Sequence, residues 1–171
     1  MRSSAYEFAN EWLVDATAAE CWALLVAPGA AGVRWPGVEL RLPEPLEAGG
    51  AVALYVRSGL GYRLRVAGTL TEVEPAHRLT AECTGDLAGT GVVALDEHEG
   101  RTLVRITWAV RTERRWMNAV APLARPAFAR AHERVMRRGE RAFRAALGTR
   151  ASEARNAANP GGSGADGAER R

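Results

Sequence analysis

At 171 residues, with 47% hydrophobic and 25% charged content, the chain suits one domain with a sizeable core. All 23 basic residues are arginine, which excludes Schiff-base chemistry and the phosphate-binding P-loop, since both need a lysine amine. No apolar run is long enough to cross a bilayer, and MRSSAYEF lacks the apolar stretch of a signal peptide, so a soluble cytoplasmic protein is expected.

The first element is a half-buried strand over residues 6–14. Tyr6, Phe8, Asn10, Trp12 and Val14 take one face, and Glu7, Ala9, Glu11 and Leu13 the other. Thr17-x-x-Glu20 has the capping-box pattern and opens a short helix to about Val26, with Trp22 and Leu25 placed to pack on a sheet. Pro28-Gly29 stops it. The Gly- and Ala-rich segment 27–37 ends in Arg34-Trp35-Pro36-Gly37. Trp35 reads either as a lid over a ligand or as a cap on one end of the core, with packing preferred.

Strands follow at 38–42 and 51–57, then a hairpin turn at Ser58-Gly59-Leu60-Gly61 and a long strand at 62–74. Gly68 is the expected bulge in that strand. Pro75-Ala76 turns the chain into a strand at 77–84. Residues 85–91 read as a Gly-rich loop before a strand at 92–96, and Glu97-His98-Glu99-Gly100 as an acidic turn. The last strand, 102–111, sets Val104, Ile106, Trp108 and Val110 on one face. Seven strands joined mainly by tight turns make an antiparallel sheet.

From Arg115 to Leu147 the strand signal is gone. Apolar residues at 127, 128, 131, 135, 136, 142, 143, 146 and 147 form one stripe at helical period. The opposite face carries Arg130, Arg134, Arg137, Arg138, Arg141 and Arg144. Pro122 and Pro126 predict a kink or break near the start. The dry stripe needs a partner, and the sheet is the one available. The fold class is therefore α+β: a sheet wrapped around a long C-terminal helix, with a short helix after the first strand. Residues 1–148 are the expected domain. Residues 149–171, polar and Gly-rich, are expected to be a disordered tail.

Charge is uneven. Residues 111–150 hold eleven Arg and three Glu, a local +8 in a chain of +3. The basic helix face reads first as solvated surface. Peripheral contact with an anionic membrane stays open. No zinc-finger or aromatic RNA-binding signature is present, so no nucleic-acid partner is expected. Cys21 and Cys83 make no metal-spaced pair and read as buried free thiols.

Residues 5–148 hold one serine, Ser58, and no Gly-x-Ser-x-Gly elbow. His77, His98 and His132 lie on three separate elements without zinc-ligand spacing, and no dinucleotide fingerprint appears. No metal or cofactor is implied. His132, four after Phe128 and four before Met136, sits at the edge of the dry stripe. It can bind a ligand carbonyl or act as acid or base; the plain alternative is a histidine hydrogen-bonded to a strand or to water. Tyr6, Trp12, Tyr62, Trp108 and Trp116 either line a cavity or fill the core. A curved sheet around one helix favours a cavity. Its expected wall adds Asn10, Phe128, Val135 and Met136, with Trp35 at one end.

Several motifs together resemble a known family. Tyr6-x-Phe8, Trp12-x-Val14-Asp15-Ala16 and Glu20-x-Trp22 resemble the opening of START-like (SRPBCC) domains. Trp35-Pro36-Gly37-Val38, Thr71-Glu72-Val73-Glu74-Pro75, Gly85-Asp86-Leu87, Trp116-Met117 and His132-Glu133-x-Val135-Met136 look similar to its bacterial polyketide cyclase/dehydrase and lipid-transport branch. The resemblance implies a helix-grip fold with an internal apolar cavity. It implies binding of an apolar small molecule such as a lipid or polyketide. The alternatives are a polyketide aromatase/cyclase or dehydratase using His132, and an interaction module using the basic helix face. The segment before Pro36 departs from the family's tryptophan-rich pattern. Monomer and homodimer are both open.

Overall fold

A computed structural model describes residues 5–27, 32–57, 61, 63–112 and 115–159, with backbone alone at 112 and 115–125. The hairpin turn expected at 58–61 therefore falls almost wholly outside the described residues, as do Tyr62 and residues 160–171.

Alternation places the first strand where the sequence puts it. In β1 (Ala5–Val14) every even-numbered side chain faces inward and every odd one is exposed. Next comes α1 (Ala18–Leu25), held by the expected capping box: the Thr17 hydroxyl accepts from the Glu20 backbone N–H, and the Glu20 carboxylate from the Thr17 backbone N–H. Its fully buried residues are Ala18, Cys21 and Leu24, while Trp22 and Leu25 pack at the margin of the core.

The other strands are β2 (Val38–Arg41), β3 (Ala51–Arg57), β4 (Arg63–Glu74), β5 (Arg78–Gly85), β6 (Leu87–His98) and β7 (Arg101–Thr112). They form one seven-stranded sheet in the order β1-β7-β6-β5-β4-β3-β2, and every neighbouring pair is antiparallel. The sheet curls into a half-barrel. The long helix α2 (Arg115–Ala158) lies in its grip, burying Phe128, Ala131, Met136 and Phe143 and exposing all six arginines of the basic face. Arg137 pairs with Glu133 and Arg144 with Glu140, each one helical turn away.

Four local expectations are corrected. Residues 87–91 are strand, not loop, so β6 starts five residues before the expected Val92. Gly89 is there for contact: its φ is +142°, and a Cβ would lie 2.1 Å from the Ala109 carbonyl oxygen of β7. The bulge on β4 falls between Leu70 and Glu72, not at Gly68, whose bare α-carbon instead lets the Glu82 carbonyl approach. Of the expected kink or break at Pro122 and Pro126, the break is absent: the helix is continuous through both. It also continues ten residues past Gly148, so 149–158 are helical. That extension holds four Ala and two Arg in ten residues, strong helix formers that need no packing. Thr149 and Ser152 each bond the carbonyl four residues back.

One end of the molecule is solid. Trp12 and Val14 of β1, Leu95 of β6, Val104 of β7, Cys21 and Leu24 of α1, and Met136 and Phe143 of α2 make one cluster. Thr102, fully buried among them, donates its hydroxyl to the Ala16 carbonyl at 2.7 Å. Large buried side chains such as Phe143 and Leu24 each contribute about 1.5–3 kcal/mol. The other end is not filled.

Candidate functional site

The same alternation that builds β1 divides it between core and cavity. Trp12 and Val14 enter the packed cluster, whereas Tyr6, Phe8 and Asn10 line a cavity of about 260 Å³ between sheet and helix. The volume lies close to the lower end of the ~300–1,000 Å³ usual for ligand pockets. One turn after another of α2 supplies Phe128, Ala131, His132, Val135 and Met136 to the wall. The far wall is aliphatic: Leu40 of β2, Leu54 of β3, Leu64 and Leu70 of β4 and Leu79 of β5. Leu40 is 51% exposed, so the β2 edge is where the cavity meets solvent.

The polar groups gather on the β1, β7 and α2 side. Asn10 Nδ2 lies 3.1 Å from His132 Nε2. An amide nitrogen only donates, so Nε2 accepts and the imidazole proton sits on Nδ1. Burial holds His132 below its ordinary pKa of 6.5, which keeps it neutral near pH 7. The ring stacks on Phe8, centroids 4.0 Å apart and planes 17° apart. Phe8 stacks in turn on Tyr6, which meets Phe128 edge-on. The histidine is thus fixed by one hydrogen bond and one ring face. Trp108 joins from β7, opposite Phe8 in register, with its ring over Gly91 of β6.

Trp35 closes one end. Its indole donates to the Val135 carbonyl at 2.9 Å and its ring meets Trp12 edge-on at 5.6 Å. The ring occupies the notch at Gly139, where a Cβ would fall 2.2 Å from it.

Of the expected wall, Tyr6, Asn10, Trp35, Trp108, Phe128, His132, Val135 and Met136 do line the cavity. Trp12 does not: it is 3% exposed, because Trp35 and, from the later turns of α2, Phe143 pack over that end of β1. Tyr62 and the Trp116 side chain lie outside the described residues. Sequence reasoning passed over Phe8, although it shares the inward face with Tyr6 and Asn10. It also passed over Gly139, whose signal is a glycine on the dry face of a long helix.

Among the described residues the cavity wall holds no Asp, Glu or Arg. Cys83 lines it, but burial pushes the thiol up and away from the nucleophilic thiolate. No three His, Cys, Asp or Glu side chains gather to hold a metal among the described residues. No described helix is long and apolar enough to cross a membrane.

No family model and no curated protein matches the sequence. Solved structures do. The ZhuI aromatase/cyclase from Streptomyces sp. R1128 matches with a TM-score of 0.64 at 18% identity, covering 94% of this chain and 100% of that one. The di-domain aromatase/cyclase StfQ of the steffimycin biosynthetic pathway gives 0.66 at 14% identity, over 86% of this chain and 52% of its own. An AHSA1-like protein from Aeromonas hydrophila gives 0.57 at 18% identity, over 84% and 94%. At such identities the likeness is one of fold alone: a curled antiparallel sheet gripping a long C-terminal helix.

Proposed function

We propose that the protein binds an apolar small molecule, lipid-like or polyketide-like, in the cavity between the sheet and α2. The observation that carries this is the cavity: about 260 Å³ left unfilled behind aliphatic and aromatic walls. Folding leaves those walls without side chains packed against them, and an uncovered apolar surface of this kind marks a site for a ligand. A binding site is the natural use of such a void.

A second reading, an aromatase/cyclase or dehydratase using His132 as base, draws on the likeness to ZhuI and StfQ and on the Asn10–His132 pair. The pair itself favours a carrier. Nε2, the basic nitrogen, already accepts the Asn10 proton, and no carboxylate stands behind the ring to stabilise an imidazolium among the described lining residues. The basic outer face of α2 remains solvated surface in this reading; salt-sensitive binding to anionic vesicles would reopen it.

The test is a titration with the uncharged probe N-phenyl-1-naphthylamine, followed by probe and tryptophan emission. Saturable binding is expected, and Val135→Trp should abolish it by filling the cavity. Absence of saturable binding to wild type sinks the proposal. Conversion of a poly-β-ketone substrate, lost in His132→Ala, would replace the carrier with the cyclase.

A further inference from the structure

The cavity has two unlike halves. Asn10, Trp108 and His132 stand on the β1, β7 and α2 side, and the wall made by β2 to β5 offers only apolar side chains among its described residues, Leu40, Leu54, Leu64 and Leu79 among them. Resting on the reading that this cavity binds a small molecule, we propose that its ligand is an uncharged amphiphile. One hydroxyl or carbonyl head sits at Asn10, His132 and Trp108, and the apolar body lies against β2 to β5.

Three observations lead there. The first is spare hydrogen-bonding capacity. Asn10 spends its amide N–H on His132, and its Oδ1 has no donor among the described residues. The imidazole spends Nε2 on that bond, which leaves Nδ1–H. The Trp108 indole N–H also has no acceptor among the described residues. That is one acceptor and two donors. A hydroxyl can donate to the first and accept from the second, and a carbonyl can accept from both donors.

The second observation is adjacency. Phe8 faces Trp108 and Asn10 faces Ile106 across β1 and β7, so Asn10 and Trp108 are diagonal neighbours on one sheet face. Diagonal neighbours sit about 7–8 Å apart, a gap one head group can bridge. Gly91, opposite Trp108 on β6, adds no side chain over the indole edge: a Cβ there would lie 3.2 Å from Nε1.

The third is the lack of charge. No described lining residue is Asp, Glu or Arg, and burial keeps His132 neutral. A carboxylate or ammonium head would enter without a counter-ion and lose its hydration.

The test uses three ligands of one chain length: 1-decanol, decanoate and decylammonium. Each competes with N-phenyl-1-naphthylamine at roughly pH 7.5, where both acid and amine are ionised. Each inhibition constant is corrected with the probe affinity of the variant used, and circular dichroism checks the fold. Decanol should bind at least about tenfold more tightly than either ion. An apolar pocket without a polar seat would also prefer the alcohol, so the variants decide. Asn10→Leu removes the acceptor, and Trp108→Phe removes the indole N–H while keeping an aromatic ring. Each should weaken decanol about tenfold, one lost hydrogen bond's worth. Decanoate binding as tightly as decanol overturns the neutral-head inference and leaves the carrier standing. Decanol affinity unchanged or improved in both folded variants overturns the seat. Failure of the probe to bind wild type removes the carrier reading itself, a different result from either.

Discussion

At the scale of single residues, His132 ties the cavity to a measurable pH dependence. Its folded pKa lies below 6.5 because the ring is desolvated. The unfolded chain therefore takes up this proton at higher pH than the folded one. Stability from this group is complete above about 6.5, falls as the pH drops through the folded value, and is flat below it. His132→Gln should remove that segment of the slope, read from urea midpoints between roughly pH 5 and 8. An identical slope in wild type and variant would show that the imidazole is not desolvated. Phe128 tests the other side of the stripe. It is 8% exposed and meets Tyr6 edge-on, so Phe128→Asp puts an unpaired charge in the seam between helix and sheet. The expected loss is about 3–5 kcal/mol, enough to unfold the domain. A folded mutant with native circular dichroism would mean that this turn of the helix faces water.

At the scale of elements, what was legible followed periodicity and what was missed followed contact. The period of two fixed the inward face of β1 through all five even positions, and the 3.6 period separated Phe128, Met136 and Phe143 from the arginines. Periodicity does not say what covers a face. Trp12 and Asn10 share one side of β1, yet one is core and the other lines the cavity, because Trp35 and Phe143 pack against the former. Glycines hid in the same way. Gly89 and Gly91 read as loop residues because turn chemistry is local, whereas their cause is a neighbouring strand. Gly139 makes that point testable. In an isolated helix Gly→Ala gains up to about 1 kcal/mol. Here the new Cβ would fall 2.2 Å from the Trp35 ring, which must move and give up its bond to the Val135 carbonyl. Gly139→Ala should therefore destabilise by about 1–3 kcal/mol in denaturant unfolding and alter Trp35 emission. In a Trp35→Ala background the same change should be neutral or stabilising. A stabilising effect in the presence of Trp35 would show that the ring does not sit in the notch.

At the scale of the whole molecule, the question is where the cooperative unit ends. The helix ends eleven residues after Leu147, where the apolar stripe stops, since that patterning reports packing while Ala and Arg stay helical without it. Packing, not helicity, decides stability. Phe143 is 1% exposed, and Ala146 and Leu147 pack against the same cluster, so α2 is part of the domain through Leu147. Ala151 is half-buried, and residues 152–159 are exposed throughout. Two truncations separate the contributions. Ending the chain after Ala151 removes only exposed residues from the described part. The cost should stay within about 0.5 kcal/mol, roughly 1–2 °C in melting temperature. Ending it after Arg141 removes Phe143, Ala146 and Leu147 from the core end and leaves Trp12 without its Phe143 contact. The loss of Phe143 alone is worth about 3–5 kcal/mol, so that chain should not fold cooperatively. The two melting curves, compared at equal protein concentration, give the answer directly. A drop of many degrees on removing only residues 152–171 would place part of the C-terminal segment on the domain surface, and the boundary of the folded unit would move beyond Ala151.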